Sequence, residues 1–144
     1  ATGERLHTIH EFQMLLSRGA VQYIRPDVCL AGGITQSKKI AALAEAHHVG
    51  VVPHNPLSPV STAACIQIAA SIPNFALQEY PTGEGKPPKS EIVKQVLECK
   101  DGFITIPDRP GIGVELADDA MEKHPFKGRG RNTRLHVDGS ILDQ

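Results

Sequence analysis

Four ionisable residues, Glu4, Asp27, His54 and Glu79, each stand where a short extended or apolar stretch gives way to a loop, at successive intervals of 23, 27 and 25 residues. An interval of about 25 residues fits one compact strand–loop–helix unit of a parallel α/β fold. The recurrence is one of spacing only, because no sequence motif repeats with it. In a parallel sheet or barrel all strand C-termini open on one face, so side chains placed this way can meet in space although they are far apart along the chain. Spacing alone leaves two readings open, a shared site or four polar strand ends with no common purpose.

Local signals supply the elements between these residues. Thr8-Ile9-His10-Glu11 has the capping-box pattern, and Phe12, Leu15 and Leu16 follow at helical spacing up to Gly19. Residues 21–28 read as a strand presenting Asp27, and Ala31-Gly32-Gly33-Ile34-Thr35 leads into a helix carrying Ile40, Leu43 and Ala44. His47, His48 and Gly50 close that helix, and 49–52 is the next strand. It runs into Pro53-His54-Asn55-Pro56-Leu57-Ser58-Pro59, where three prolines stiffen the loop and the His54 ring can face a ligand. A helix over 60–71, rich in small and apolar residues, stops at Pro73, and 75–80 is a short strand ending near Glu79. Gly32-Gly33 could cradle a phosphate on backbone N–H groups, but without a Walker or dinucleotide pattern a tight turn is the simpler reading. Asn55 and Ser58 are either substrate contacts or parts of the loop's own geometry, and His7 is placed to line a pocket mouth.

Composition narrows the class of function. At 144 residues with a net charge of −1 the chain can bury one core and offers no electrostatic footprint for nucleic acid or an anionic membrane surface. No apolar run approaches the roughly 20 residues of a membrane span, and the first residues do not read as a signal peptide. Cys29, Cys65 and Cys99 are odd in number and widely spaced. That favours reduced thiols in a cytoplasmic protein over a disulfide framework or a zinc site. The chain has no initiator Met and opens on what reads as a strand end, so it is expected to be a piece of a longer protein.

Three parts are expected: strand–loop–helix units over 1–80, a final helix and strand segment over 81–120 and a basic tail 121–144. After Tyr80 a Gly/Pro-rich connector, 81–88, precedes an expected helix capped by Ser90, with Ile92, Val93, Val96 and Leu97 on one face. A last strand is expected over 103–107. Lys127, Arg129, Arg131 and Arg134 make the tail locally basic, which reads as a solvated or interface tail in a chain of no net basicity.

Four segments together carry a resemblance. Ala-Thr-Gly-Glu4, Tyr23-Ile24-Arg25-Pro26-Asp27 with Ala31-Gly32-Gly33-Ile34-Thr35, Pro53-His54-Asn55-Pro56-Leu57-Ser58-Pro59, and Asn74-Phe75-Ala76-Leu77-Gln78-Glu79 are similar, in order and spacing, to the later barrel strands of the mandelate racemase/muconate lactonizing enzyme branch of the enolase superfamily. Within it they most resemble acid-sugar dehydratases of the galactonate dehydratase type. The likeness runs to about residue 120. It implies an α/β fold, strands five to eight of a (β/α)7β TIM-like barrel, followed by a segment that returns to pack on a capping domain. It further implies that Glu4 is one carboxylate ligand of Mg²⁺, that Asp27 and His54 form the base dyad, and that Glu79 hydrogen-bonds the developing enolate. Two more metal carboxylates and a general acid would come from earlier strands. The implied partner is a small sugar acid, and the implied parent is a homo-oligomer.

The residue types suit that chemistry. A proton beside a carboxylate is too weakly acidic for imidazole unless the enediolate is stabilised, which a hard cation on the carboxylate achieves. Enolase-superfamily sites combine a Lys or His base with Mg²⁺ for this purpose. Asp27 would fix the tautomer and orientation of His54. Racemisation or cycloisomerisation could use the same dyad, and a non-catalytic α/β remnant could retain it by descent.

Overall fold

The computed structural model describes residues 1–128 and 135–140. Helix α1 (Ile9–Ser17) starts in the expected capping box: Thr8 Oγ1 accepts the Glu11 N–H, and the Glu11 carboxylate accepts the Thr8 N–H at 2.8 Å. It ends at Arg18, followed by Gly19 with φ +60°. Helix α2 (Gly33–Ala46) is entered through its cap Gly32 and first residue Gly33, whose φ values of +92° and +84° make the tight turn. The Gly33 N–H is spent on Val28 O at 3.0 Å, consistent with a turn and not a phosphate cradle. Helix α3 (Pro59–Ala69) is capped by Ser58, and Pro59 takes the first helical position, where its missing N–H costs nothing.

Between the helices run parallel strands. β1 (Tyr23–Ile24) pairs with β2 (Gly50–Val51) in the register Tyr23↔Gly50 and Ile24↔Val51. Single parallel bridges extend the set on both sides, Thr2 to Ile24 and Val51 to Phe75. Order in space therefore follows order in the chain, with every neighbour parallel. A doubly wound sheet reverses direction at a switch point, whereas a barrel adds each strand beside the last, so the arrangement is the expected arc of four successive barrel strands. The regular ladders are shorter than the expected strands: 21–28 contributes only Tyr23–Ile24 and 75–80 only the bridge at Phe75.

The main core lies between this arc and helices α1 and α2. Phe12, Leu16, Ile24, Ile40, Ala41, Ala44 and Val51 are all buried there. A Cβ on Gly50 would meet the Tyr23 ring at 2.8 Å, so glycine is what lets the two strands carry that ring between them. Asn74 closes the third crossover by donating to Ala41 O and Val49 O at 3.0 and 2.9 Å.

The return segment covers part of α3. Leu97 packs with Ala63 and Ile66, backed by Ile104, Ile112 and Val114. Here one expectation is corrected. The segment expected to be a helix capped by Ser90 is a 3₁₀ turn (Lys89–Ile92) that follows Pro88 with no side-chain cap, and Val93 at its end is extended. Val93 pairs antiparallel with Leu116, and Lys94 N donates to Glu115 O at 2.9 Å. The long-range pairing overrides a local pattern that helix and strand share. The expected strand over 103–107 is shorter, β4 (Phe103–Ile104), a hairpin partner of β3 (Cys99–Lys100) around Asp101-Gly102. A short helix, α4 (Ala120–Lys123), follows. Arg129, Arg131 and Arg134 lie outside the described residues. Among the described residues no helix is long and apolar enough to cross a membrane.

Candidate active site

The bridged residues Thr2, Ile24, Val51 and Phe75 stand side by side. Glu4, Asp27, His54 and Glu79 follow them by two, three, three and four positions respectively. All four therefore sit at the same, C-terminal end of neighbouring strands, the rim on which barrel enzymes build their sites.

Asp27 and His54 are paired. Their backbones form a parallel bridge, His54 N donates to Pro26 O at 3.1 Å, and the side chains meet at 2.9 Å from His54 Nδ1 to Asp27 Oδ2. Asp27 is 2% exposed, and its Oδ1 accepts the N–H groups of Cys29 and Leu30 at 2.8 and 3.3 Å. With one oxygen anchored by the turn, the other faces the imidazole at a fixed place. A carboxylate can only accept, so Nδ1 carries the hydrogen, and in the neutral ring the lone pair is then on Nε2.

Glu79 is held by a different set. Its Oε2 accepts the Asn55 N–H and an Arg25 Nη2–H, both at 2.9 Å. Burial by itself would raise the Glu79 carboxyl, but the Asn55 N–H and the Arg25 guanidinium outweigh it, and the net effect holds it below the usual carboxylate range. Glu79 thus stands in this site as an anion paired with Arg25 and not as a ready proton donor. Both residues line an open concavity of about 510 Å³ with Tyr23, Val52 and Leu77. A hollow of about 620 Å³ lies at the other end of the strands, lined by Tyr23, Glu45, His48 and Asn74, and has no paired acid and base. The paired acid and base lie on the C-terminal rim.

Glu4 is half-buried, and its Oε2 is buried with no hydrogen-bond partner. An orphaned carboxylate oxygen on this rim fits one ligand position of a hard divalent cation. No group of three or more His, Cys, Asp or Glu side chains suited to a metal occurs among the described residues, so Glu4 fits as one member of a shell and not as the whole of it.

Of the two readings left open for Asn55, its surroundings favour the loop's own geometry over a substrate contact. The residue is fully buried, and its Nδ2 donates to Thr62 Oγ1 at 2.7 Å and to Glu79 O at 3.1 Å, so the side chain faces α3. Ser58 serves as the α3 cap, and Cys65 is a packing thiol that burial pushes up to about 12. Three residues not anticipated from sequence join the site: Arg25, Thr62 and Glu84. Arg25 lies two positions before Asp27 and so on the same strand face, a period-two signal that the sequence does carry.

Residues 1–120 match the model of the enolase C-terminal domain-like family. A D-galactonate dehydratase of Xanthomonas campestris pv. campestris (strain B100) is 38% identical over 151 residues, spanning 99% of this chain and 39% of that protein. One of Variovorax paradoxus (strain S110) is 37% identical over the same shares. Among solved structures, an enolase of Agrobacterium radiobacter, provisionally a galactarate dehydratase and bound to Na and L-malate, superposes with a TM-score of 0.84. Its identity is 36%, over 96% of this chain and 38% of that one. A protein assigned to the mandelate racemase/muconate lactonizing enzymes of Burkholderia SAR-1 gives 0.82 at 37% identity, over 99% and 34%. The chain thus spans 39% of the length of the curated relatives it matches. With parallel strands laid down in chain order and a match that runs through the return segment, the chain belongs to the enolase C-terminal domain-like family.

Proposed function

We propose that the full-length protein carrying this chain is an Mg²⁺-dependent dehydratase that converts a sugar acid of the galactonate type to a 2-keto-3-deoxy acid. The observation that carries the reading is the 2.9 Å contact of His54 with a buried Asp27 on adjacent parallel strand ends. It is supported by the naming of relatives 37–38% identical as D-galactonate dehydratases.

In this reading His54 Nε2 takes the proton from the carbon beside the substrate carboxylate. The C–H electron pair enters the carboxylate as an enediolate, then returns to form the Cα–Cβ double bond as the β C–O bond breaks. The hydroxyl departs as water with a proton from a general acid on an earlier strand, and the enol tautomerises to the keto acid. Asp27 holds the ring in the tautomer that leaves Nε2 free and stabilises the imidazolium that forms. Arg25 and Glu79 line the neighbouring concavity, and the guanidinium, paired with Glu79, sets positive charge beside the dyad. Mg²⁺, held in part by Glu4, would acidify the α-carbon by neutralising the substrate carboxylate. Three free thiols, Cys29, Cys65 and Cys99, suit a reducing cytoplasm, and the parent is proposed to be a homo-oligomer.

The test is a panel of aldonic and aldaric acids with the full-length protein, read as 2-keto-3-deoxy acid formation with and without EDTA. Metal-dependent keto acid from a galactonate-type substrate is the expected result. Solvent deuterium exchange at the α-carbon without elimination would replace this reading with racemisation.

A further inference from the structure

The dehydratase reading leaves one buried acid unused. Glu84 is 1% exposed, in the Gly/Pro-rich turn that opens the return segment, where Glu84 N donates to Pro81 O at 3.2 Å. Its Oε2 accepts the Thr62 hydroxyl at 2.7 Å, and Thr62 Oγ1 accepts Asn55 Nδ2 at 2.7 Å. Asn55 in turn holds Glu79 twice, by Nδ2 on the backbone carbonyl at 3.1 Å and by its own N–H on the carboxylate at 2.9 Å. Asn55 also follows His54 directly. Asn55, Thr62 and Glu84 are all buried, and Asn55 Oδ1 and Glu84 Oε1 have no hydrogen-bond partner.

We propose that Glu84 is a positioning residue for the rim: through Thr62 and Asn55 it sets the place of the Glu79 carboxylate and of the loop carrying His54. Its effect on turnover rests on the dehydratase reading, whereas its effect on geometry does not. A buried carboxyl with one oxygen unmatched is a poor choice for packing, since an apolar residue of similar size avoids the desolvation cost. What Glu84 adds is direction. A hydroxyl has one hydrogen, and giving it to Glu84 leaves Thr62 Oγ1 to accept from Asn55. Without that acceptor the hydroxyl can turn, and the Asn55 amide loses a fixed partner.

The test compares Glu84→Leu, Glu84→Gln and Thr62→Val in the full-length protein by kcat, KM and the NMR shift of the Asn55 amide proton. In Glu84→Leu, kcat should fall about 10- to 100-fold with KM changed less than about threefold, and the Asn55 amide should move. Glu84→Gln keeps an acceptor for the hydroxyl and should stay within about threefold of wild type. Thr62→Val should reproduce Glu84→Leu, and the double variant should lose little more. Wild-type kcat or an unmoved Asn55 amide in folded Glu84→Leu overturns the proposal, as does a Glu84→Gln protein as impaired as Glu84→Leu. If Glu84→Leu does not fold, Thr62→Val against Glu84→Gln decides by the same measures. A wild-type protein with no dehydratase activity removes the dehydratase reading alone, and the Asn55 amide still decides this one.

Discussion

Two carboxyl contacts, one in the barrel arc and one joining it to the return segment, are both buried and both short, yet they arise differently. Asp27 meets His54 because two strands of one parallel set end on the same rim, one supersecondary unit apart. Glu84 meets Thr62 because a turn beyond the last strand packs against a helix, and no repeat dictates that meeting. Their neighbours differ too. Glu79 is held low by an N–H and a guanidinium, whereas burial holds Glu84 high, with the Thr62 hydroxyl and Lys89 offsetting only part of it. Topology thus places the groups proposed to do chemistry, and packing places the group proposed to keep them still.

The sharpest break of this comparison is at the base. His54→Asn keeps a side chain able to hydrogen-bond Asp27 but removes the proton acceptor, so activity and α-proton exchange in the full-length protein should fall about 10³-fold or more. The melting temperature should move by only a few degrees. Retained α-proton exchange in folded His54→Asn would remove His54 from its role and leave the rim geometry without its function.

The return segment is tested through its apolar anchor. Leu97 is 5% exposed against Ala63 and Ile66, whereas Phe103 in the adjoining hairpin is 79% exposed. Leu97→Ala should cost about 2–3 kcal/mol in urea unfolding, and Phe103→Ala less than about 0.5 kcal/mol. A Leu97→Ala effect as small as that of Phe103→Ala would show that the return segment is laid on α3 without contributing to its stability.

The same distinction explains which features are legible in the sequence. The capping box at Thr8 and Glu11 is a local signal and folds as read. For Asp27 and His54 the recurring strand ends indicate a common rim but leave open whether the side chains meet; the family resemblance implies the pair, and the parallel bridge between their backbones brings it about. Arg25 is legible by a simpler rule, two residues before Asp27 on one strand face, although its pairing with Glu79 is not. The Ser90 helix misleads because Val93 and Leu97, four apart, share a face in a helix and in an extended chain alike; the pairing of Val93 with Leu116 decides between them. Glu84 carries no signal at all. Its partner is buried in a helix whose small residues advertise packing, and its own turn looks like a linker.

A smaller effect separates the two glutamates by pH. For Glu79 the folded value is depressed, so the pair contributes stability above the usual glutamate value of about 4.3 that is lost as pH falls through the folded value. Arg25→Met removes the guanidinium, so its melting temperature should trail wild type near neutral pH and converge with it in acid. The side chains of Arg25 and Glu79 are 25% and 37% exposed, so screening limits the difference to less than about 1 kcal/mol. A gap that does not change with pH would show that Arg25 contributes packing and not charge.

Glu84 should show the opposite sign. Its folded value is raised, so the native state binds more protons than the unfolded chain, and stability declines as pH rises from about 4.3 through the folded value. Glutamine has nearly the same shape and does not titrate, so Glu84→Gln is free of this decline. The melting temperatures of the two proteins should lie close together near pH 4 and separate toward pH 7, with Glu84→Gln the more stable; every other titrating group is common to both and cancels. Thermal melts across that range read the slope directly. A gap that stays flat or narrows with rising pH would mean that Glu84 is matched in its ionised form, and that the cost of burying it, which argues for a positioning role, is not there.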